Sequence, residues 1–233
     1  MSNKKSKSIK PKVLYLKDRT AGGLFSSLGG GAPDTYEIFH KKLMAVPYDR
    51  PVDIIITTHG GSALWCSKIC YVLKHRSGQS RVFVKSYAHS AGAVIALTAS
   101  ELYITADTTF SAIDAQAFPF GDLFQTSLQG LSKLIQDPRK AFVELSNDRA
   151  QYFRQNVVKF LNNDLHNKDT IMKEMHDDSP IHEQLFFKED MKRIGIKYKI
   201  WDGKNLNGIS EGLHEKNIDS VSQPLIENNV VTI

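Results

Sequence analysis

The chain has 233 residues, which is long enough for one large or two small globular domains. Its content of 41% hydrophobic and 24% charged residues is ordinary for a globular protein and excludes a disordered chain. The formal net charge of +5 gives no support to a nucleic-acid partner, because residues 1–12 hold five lysines and no acidic residue and account for the surplus.

Residues 1–12 are predicted to form a basic disordered tail, followed by a single domain over residues 13–233. No apolar run approaches the roughly 20 residues of a spanning helix, and no signal-peptide core follows the N-terminus, so stable membrane insertion is not expected. Cys66 and Cys70 stand four apart on a predicted helix, a spacing that seldom suits a disulfide. We therefore predict reduced thiols, a cytoplasmic location and no metal site.

Periodicity predicts alternating strands and helices along the chain. The predicted strands share short apolar runs and lie at residues 13–16, 52–57, 82–84, 102–105 and 196–200. The predicted helices lie at residues 35–45, 62–75, 91–99, 138–162 and 186–194. A glycine-rich loop over residues 21–34 is expected to act as a lid over the site. Because each strand–helix–strand unit is short, we expect an α/β fold with right-handed crossovers and a mainly parallel core sheet.

The most informative segment runs from Asp53 to Gln116. Its first strand ends at Gly60 and Gly61, and its second ends just before Ser90, which precedes a small, apolar helix. A serine at a helix N-terminus supplies a nucleophile, and a glycine turn supplies backbone N–H groups for an oxyanion. The order of these parts predicts an acyl-transfer site, although Ser90 is also a suitable N-cap for the helix that follows.

Together these segments resemble the Clp protease/crotonase superfamily, and within it the serine dehydrogenase proteinase family, which is related to signal-peptide peptidases. The resemblance covers about residues 50–200 and rests on three motifs, namely Asp53 to Gly61, Tyr87 to Ala93 and Ile113 to Gln116. A looser match covers His176 to Ile181 and Met191 to Ile196. It implies a spiral of β-β-α units, assembly into a homo-oligomer, a peptide or protein substrate and no cofactor.

The same resemblance implies a catalytic triad in the chain order Ser, Asp, His. By motif position, Ser90 is the nucleophile, Asp114 the orienting acid and His176 the general base. The oxyanion hole is expected at Gly60, Gly61 and Ala91.

The general base has three alternatives in the sequence. His59 adjoins the glycine pair, His182 follows His176 closely, and Lys140 would form a Ser–Lys dyad. A lysine base requires burial to lower its pKa, whereas Lys140 lies at a charged helix start. Asp114 has an alternative role as a turn residue.

We predict a soluble serine peptidase that hydrolyses peptide bonds. The chain departs from its relatives at His59, where they carry proline, and at His89, where Met or Ala is common. These two histidines leave open a catalytically inactive Clp-like binding or scaffold protein. Because the glycine pair suits any carbonyl, a crotonase-type enzyme acting on coenzyme A thioesters is the second alternative.

Overall fold

The computed structural model describes residues 10–18, 35–113, 151–152, 154–157, 159–162, 167–177, 184–204 and 206. The chain divides into two units, Met1–Gly203 and Lys204–Ile233, and of the second only Lys204 and Leu206 are described. The prediction of one domain over 13–233 therefore stays a prediction. All the elements below belong to the first unit.

The described strands are β1 (Lys12–Lys17), β2 (Val52–Thr58), β3 (Ser80–Ala88), β4 (Glu101–Ile104), β5 (Thr109–Ser111), β6 (Leu185–Phe186) and β7 (Lys199–Ile200). The described helices are α1 (Thr35–Met44), α2 (Ala63–His75), α3 (Ala91–Thr98), α4 (Lys168–Met172) and α5 (Lys188–Arg193). Helix α4 continues directly into a π-helix over Lys173–Asp177. Residues 151–152, 154–157 and 159–160 are also helical.

The strands form one mainly parallel sheet, as the sequence predicts. Its order is β1-β2-β3-β4-β7, with every neighbouring pair parallel. Strand β3 pairs with two further strands along its length, with β4 at Arg81–Val84 and with β5 at Tyr87 and Ala88. Strand β6 pairs antiparallel with β5. The ends of β3 and β5 therefore meet at the point where Ser90 follows β3.

The core lies where helices α1, α2 and α3 pack against the sheet. All eight residues of α3 are buried, which explains why this helix has no polar face. Its residue Gly92 allows close packing, since a Cβ there would come within 2.5 Å of the Thr58 side chain at the end of β2. This contact sets the separation between the glycine turn and the helix that begins after Ser90.

Three predicted elements differ from the structure. Periodicity assigns Phe186 to a helix over 186–194, but this residue is buried in β6 opposite Phe110, and the helix begins only at Lys188. The last predicted strand shrinks to Lys199–Ile200, which pairs with β4. The helix predicted over 138–162 is described only from residue 151 onward, where it ends at residue 160. The predicted lid over residues 21–34 lies outside the described residues.

Candidate functional site

The glycine turn after β2 is built so that a side chain cannot enter it. Gly60 has φ +117°, a conformation that strongly favours glycine. A Cβ on Gly61 would lie 2.6 Å from the Tyr36 ring. The turn is thus closed on one side by Tyr36 from α1, a contact that sequence patterns do not reveal.

Ser90 occupies the sharp turn between β3 and α3. Its backbone has φ +48° and ψ −120°, a strained combination for a residue with a side chain. Although Ser90 stands at the N-cap position, its side chain makes no capping hydrogen bond. Ser90 therefore occupies the N-cap position, as the alternative interpretation expects, but its hydroxyl does not cap the helix.

The hydroxyl of Ser90 faces the glycine turn. A Cβ on Gly60 would lie 2.9 Å from the Ser90 Cβ and 3.4 Å from its Oγ. The Oγ makes no hydrogen bond to any residue that the structure describes. Ser90 is half-buried, so the hydroxyl combines limited exposure with an unused hydrogen-bonding capacity.

Two hydrogen bonds donated by backbone N–H groups hold the Ser90 turn in place. The N–H of His89 donates to the carbonyl of Thr58 at 2.9 Å, which joins the turn to the end of β2. The N–H of Ser90 donates to Oγ of Ser111 at 2.8 Å, which joins it to β5. The strained serine is thus supported from both neighbouring strands.

The predicted oxyanion donors differ in whether their N–H groups are engaged. Among the described residues, the N–H groups of Gly61 and Ala91 have no hydrogen-bond acceptor. The N–H of Gly60, in contrast, donates to Oγ1 of Thr58 at 3.2 Å. Gly61 and Ala91 therefore remain available to an oxyanion, and Gly60 contributes the shape of the turn.

His176 lies on the π-helix, which is a local irregularity often associated with functional sites. Its side chain is only 10% exposed, and its Nδ1 lies 2.9 Å from Oδ1 of Asp177. Because a carboxylate only accepts, Nδ1 carries the proton in the neutral ring and Nε2 carries the lone pair. The Nε2 atom is buried and has no hydrogen-bond partner among the described residues.

Asp177 is held in turn by Arg154. The guanidinium donates from Nε and Nη2 to the two carboxylate oxygens at 2.9 and 2.8 Å. This hydrogen bonding to Arg154, with a smaller contribution from His176, lowers the pKa of Asp177 from its usual 3.8 to about 2. The carboxylate beside His176 is consequently ionised throughout the neutral range.

The segment after β5 connects the two parts of the candidate site. Ser111 accepts the Ser90 N–H, and two residues later the N–H of Ile113 donates to the carbonyl of Met175 at 2.9 Å. Two residues of extended chain span at most about 7 Å. Met175, which precedes His176, is therefore linked to the Ser90 turn through Ile113 and Ser111, but Nε2 of His176 makes no hydrogen bond to Ser90.

The other described histidines near the turn have different surroundings. His59 is exposed and stacks on Tyr87, with ring centroids 4.4 Å apart. Nε2 of His89 lies 3.0 Å from Oγ1 of Thr109. Neither ring hydrogen-bonds to Ser90 Oγ. Three predicted site residues, Asp114, His182 and Lys140, lie outside the described residues.

Sequence reasoning missed several residues that shape the site. They are Asp18, Tyr36, Ser111, Arg154 and Asp177. Two of them could have been found in the sequence, since Asp177 adjoins His176 and Asp18 comes two residues after a predicted strand. The others reach the site only through tertiary packing.

The remaining chemistry-bearing groups give no second site in the described part of the chain. No group of three or more metal-ligating side chains occurs there. Cys66 and Cys70 are free and buried, and the hydrogen bond between them, together with burial, raises the pKa of the Cys66 thiol. None of the described helices has the length and apolar character needed to cross a membrane.

Comparison with known proteins identifies relatives over most of the chain. The model of a family described as ClpP-like SDH-type serine proteinase matches residues 33–209. Uncharacterized protein MJ1495 of Methanocaldococcus jannaschii is 25% identical over 168 residues, covering 70% of this chain and 57% of the relative. Uncharacterized protein MJ0137 of the same organism is 36% identical over 83 residues, covering 36% of this chain and 29% of the relative.

The chain thus spans less than two thirds of the length of these curated relatives. Both relatives are uncharacterized, so they assign no activity that could be carried over.

Proposed function

Because the chain belongs to the ClpP-like SDH-type serine proteinase family, we propose that it is a serine peptidase that uses Ser90 as its nucleophile. The single observation that carries the proposal is the Ser90 turn. A serine in a strained backbone conformation, whose hydroxyl faces a glycine turn and has no partner among the described residues, is difficult to explain as a structural residue.

The proposed reaction begins with attack of Ser90 Oγ on a peptide carbonyl carbon. The hydroxyl proton passes to Nε2 of His176, and the N–H groups of Gly61 and Ala91 stabilise the oxyanion. The C–N bond then breaks as the imidazolium returns the proton to the leaving amine. Water hydrolyses the resulting acyl-enzyme by the same steps and releases the free serine.

In this proposal, His176 is favoured over the other bases because its protonation pattern suits the role. Its Nδ1–H donates to Asp177, which leaves a buried Nε2, unpartnered among the described residues, as the proton acceptor. A general base must come within about 3 Å of the proton it removes, often only after substrate binds. The proposal therefore includes an approach of His176 to Ser90 in the substrate complex.

Asp177 is the proposed orienting acid, since it contacts the imidazole directly. Asp114, to which the family resemblance assigns this role, is the competing candidate. The proposal also includes a peptide or protein substrate, a homo-oligomeric assembly and a cytoplasmic location. The free, buried thiols of Cys66 and Cys70 support a reducing compartment.

The test is covalent labelling with a fluorophosphonate–rhodamine probe, followed by mass spectrometry of the adduct. We expect a single adduct on Ser90 and its loss in Ser90→Ala. Ser77→Ala is the matched control, because Ser77 is an exposed turn serine whose hydroxyl donates to the carbonyl of Tyr48. Circular dichroism of each variant checks that the fold is retained.

An adduct on another serine, or no adduct on folded wild-type protein, would refute the proposed nucleophile. A folded protein that binds peptides without labelling would support the binding or scaffold alternative. Binding of an acyl-coenzyme A that is unchanged in Ser90→Ala would support the thioester alternative.

A further inference from the structure

Asp18, at the end of β1, contacts the glycine turn through both carboxylate oxygens. The hydroxyl of Thr58 donates to Oδ1 at 2.6 Å, and the backbone N–H of His59 donates to Oδ2 at 2.8 Å. Strands β1 and β2 are adjacent and parallel, which brings Asp18 beside the turn that follows β2. Both hydrogen bonds involve a charged acceptor and are therefore stronger than neutral ones.

The contact with Asp18 extends to Gly60 through the Thr58 hydroxyl. A hydroxyl has one proton, and in Thr58 the nearest acceptor for it is Asp18. The same Oγ1 then accepts the N–H of Gly60 at 3.2 Å. A chain of hydrogen bonds thus runs from the carboxylate to the residue whose unusual φ turns the backbone toward Ser90.

We propose that Asp18 is a positioning residue that fixes the oxyanion turn, an inference that rests on the proposed function. Asp18 engages the N–H of His59 directly and that of Gly60 through Thr58. The N–H of Gly61, the next along the chain, is left without an acceptor among the described residues. Asp18 itself lies outside residues 33–209 that match the family model.

This role predicts a specific kinetic signature. An oxyanion exists only in the tetrahedral state, so a misdirected Gly61 amide reduces kcat while ground-state binding is retained. Hydrolysis of p-nitrophenyl acetate by the full chain is the assay. In Asp18→Ala we expect kcat to fall by about tenfold with KM within about twofold of wild type, less than the loss of a whole oxyanion donor.

Asp18→Asn is the conservative variant. An asparagine oxygen can accept the His59 N–H while its amide donates to the Thr58 hydroxyl, which preserves both contacts. We expect its kcat to stay within about threefold of wild type. Asp107→Ala is the matched control, because Asp107 also accepts a threonine hydroxyl, that of Thr105 at 2.7 Å, but in the turn between β4 and β5.

Amide hydrogen exchange of the peptide containing residues 58–61 supplies a readout independent of activity. We expect about tenfold faster exchange at His59 and Gly60 in Asp18→Ala, and wild-type exchange there in Asp107→Ala. Wild-type kcat or wild-type exchange in Asp18→Ala overturns the inference. Failure of the wild-type protein to hydrolyse the ester refutes the proposed function instead, and exchange then decides whether Asp18 holds the turn.

Discussion

The backbone N–H of Ser90 donates to Oγ of Ser111 at 2.8 Å, so a side chain of β5 holds the backbone of the candidate nucleophile. Ser111 is buried, and its own hydroxyl donates to the carbonyl of Ala112 at 3.1 Å. This hydroxyl therefore supports the strained φ of Ser90 from the strand beside it.

Replacement of Ser111 by alanine removes the acceptor of the Ser90 N–H. We expect Ser111→Ala to reduce the rate of fluorophosphonate labelling by about tenfold and the free energy of unfolding by about 1 kcal/mol. Labelling kinetics and urea denaturation measure the two effects. Ser77→Ala should change neither, and a wild-type labelling rate in Ser111→Ala would show that the bond is dispensable.

Gly60 is predicted to be intolerant of a side chain because of its neighbour Ser90. In Gly60→Ala the new Cβ would lie 2.9 Å from the Ser90 Cβ, in addition to the strain at φ +117°. We expect a loss of stability of roughly 1–3 kcal/mol and a loss of labelling of at least about tenfold.

Gly195→Ala is the matched control for backbone strain. Gly195 also has positive φ, at +82°, but a Cβ there would meet only ordinary contact, 3.5 Å from Asn167 Cβ. Thermal denaturation and labelling should show lower stability with labelling retained. Equal loss of labelling in both glycine variants would mean that the Ser90 contact is not responsible.

The identity of the orienting acid is open to a direct comparison. We expect Asp177→Asn to reduce ester hydrolysis by roughly 10- to 100-fold, because an amide in place of the carboxylate weakens control of the His176 tautomer. Asp114→Asn should have a smaller effect. Steady-state kinetics across pH measures the loss of ester hydrolysis in both variants. A larger loss in Asp114→Asn than in Asp177→Asn would identify Asp114 as the orienting acid.

The ion pair of Asp177 with Arg154 predicts a pH-dependent stability. The pKa of Asp177 is depressed to about 2 from an ordinary 3.8. Its contribution to the free energy of unfolding is therefore fully present above pH 3.8 and is lost as the pH falls through about 2. Urea denaturation should show that wild type has a larger free energy of unfolding than Asp177→Asn near pH 6, and that this difference decreases toward pH 2.

Arg154→Ala provides the comparison for this titration. Without the guanidinium, the pKa of Asp177 should rise toward its ordinary value, since the Arg154 hydrogen bonds are the largest cause of the shift. A stability difference between wild type and Asp177→Asn that does not vary with pH would show that the ion pair of Asp177 with Arg154 is not the source of pH-dependent stability.

Apolar runs and glycine punctuation are sufficient to predict β1 to β4 and the helices between them. Buried parallel strands have short continuous apolar runs, α1 and α2 have a helical period of apolar residues, and the wholly buried α3 is a run of small apolar residues. Phe186 shows where that signal fails. Its run of residues continues into a helix, but pairing with Phe110 places it in a strand, and pairing with a distant segment is invisible in local sequence.

The chain order of the motifs also predicts that Ser90 and the glycine pair lie in turns between a strand and a helix, since such turns have a recognisable local sequence. The partners of these residues are decided only by tertiary structure. Asp18 reaches the glycine turn because β1 pairs with β2, and Ser111 reaches Ser90 because β5 joins the end of β3. Local sequence determines which backbone turns can form, whereas the pairing of strands distant in sequence determines which side chains hold those turns in place.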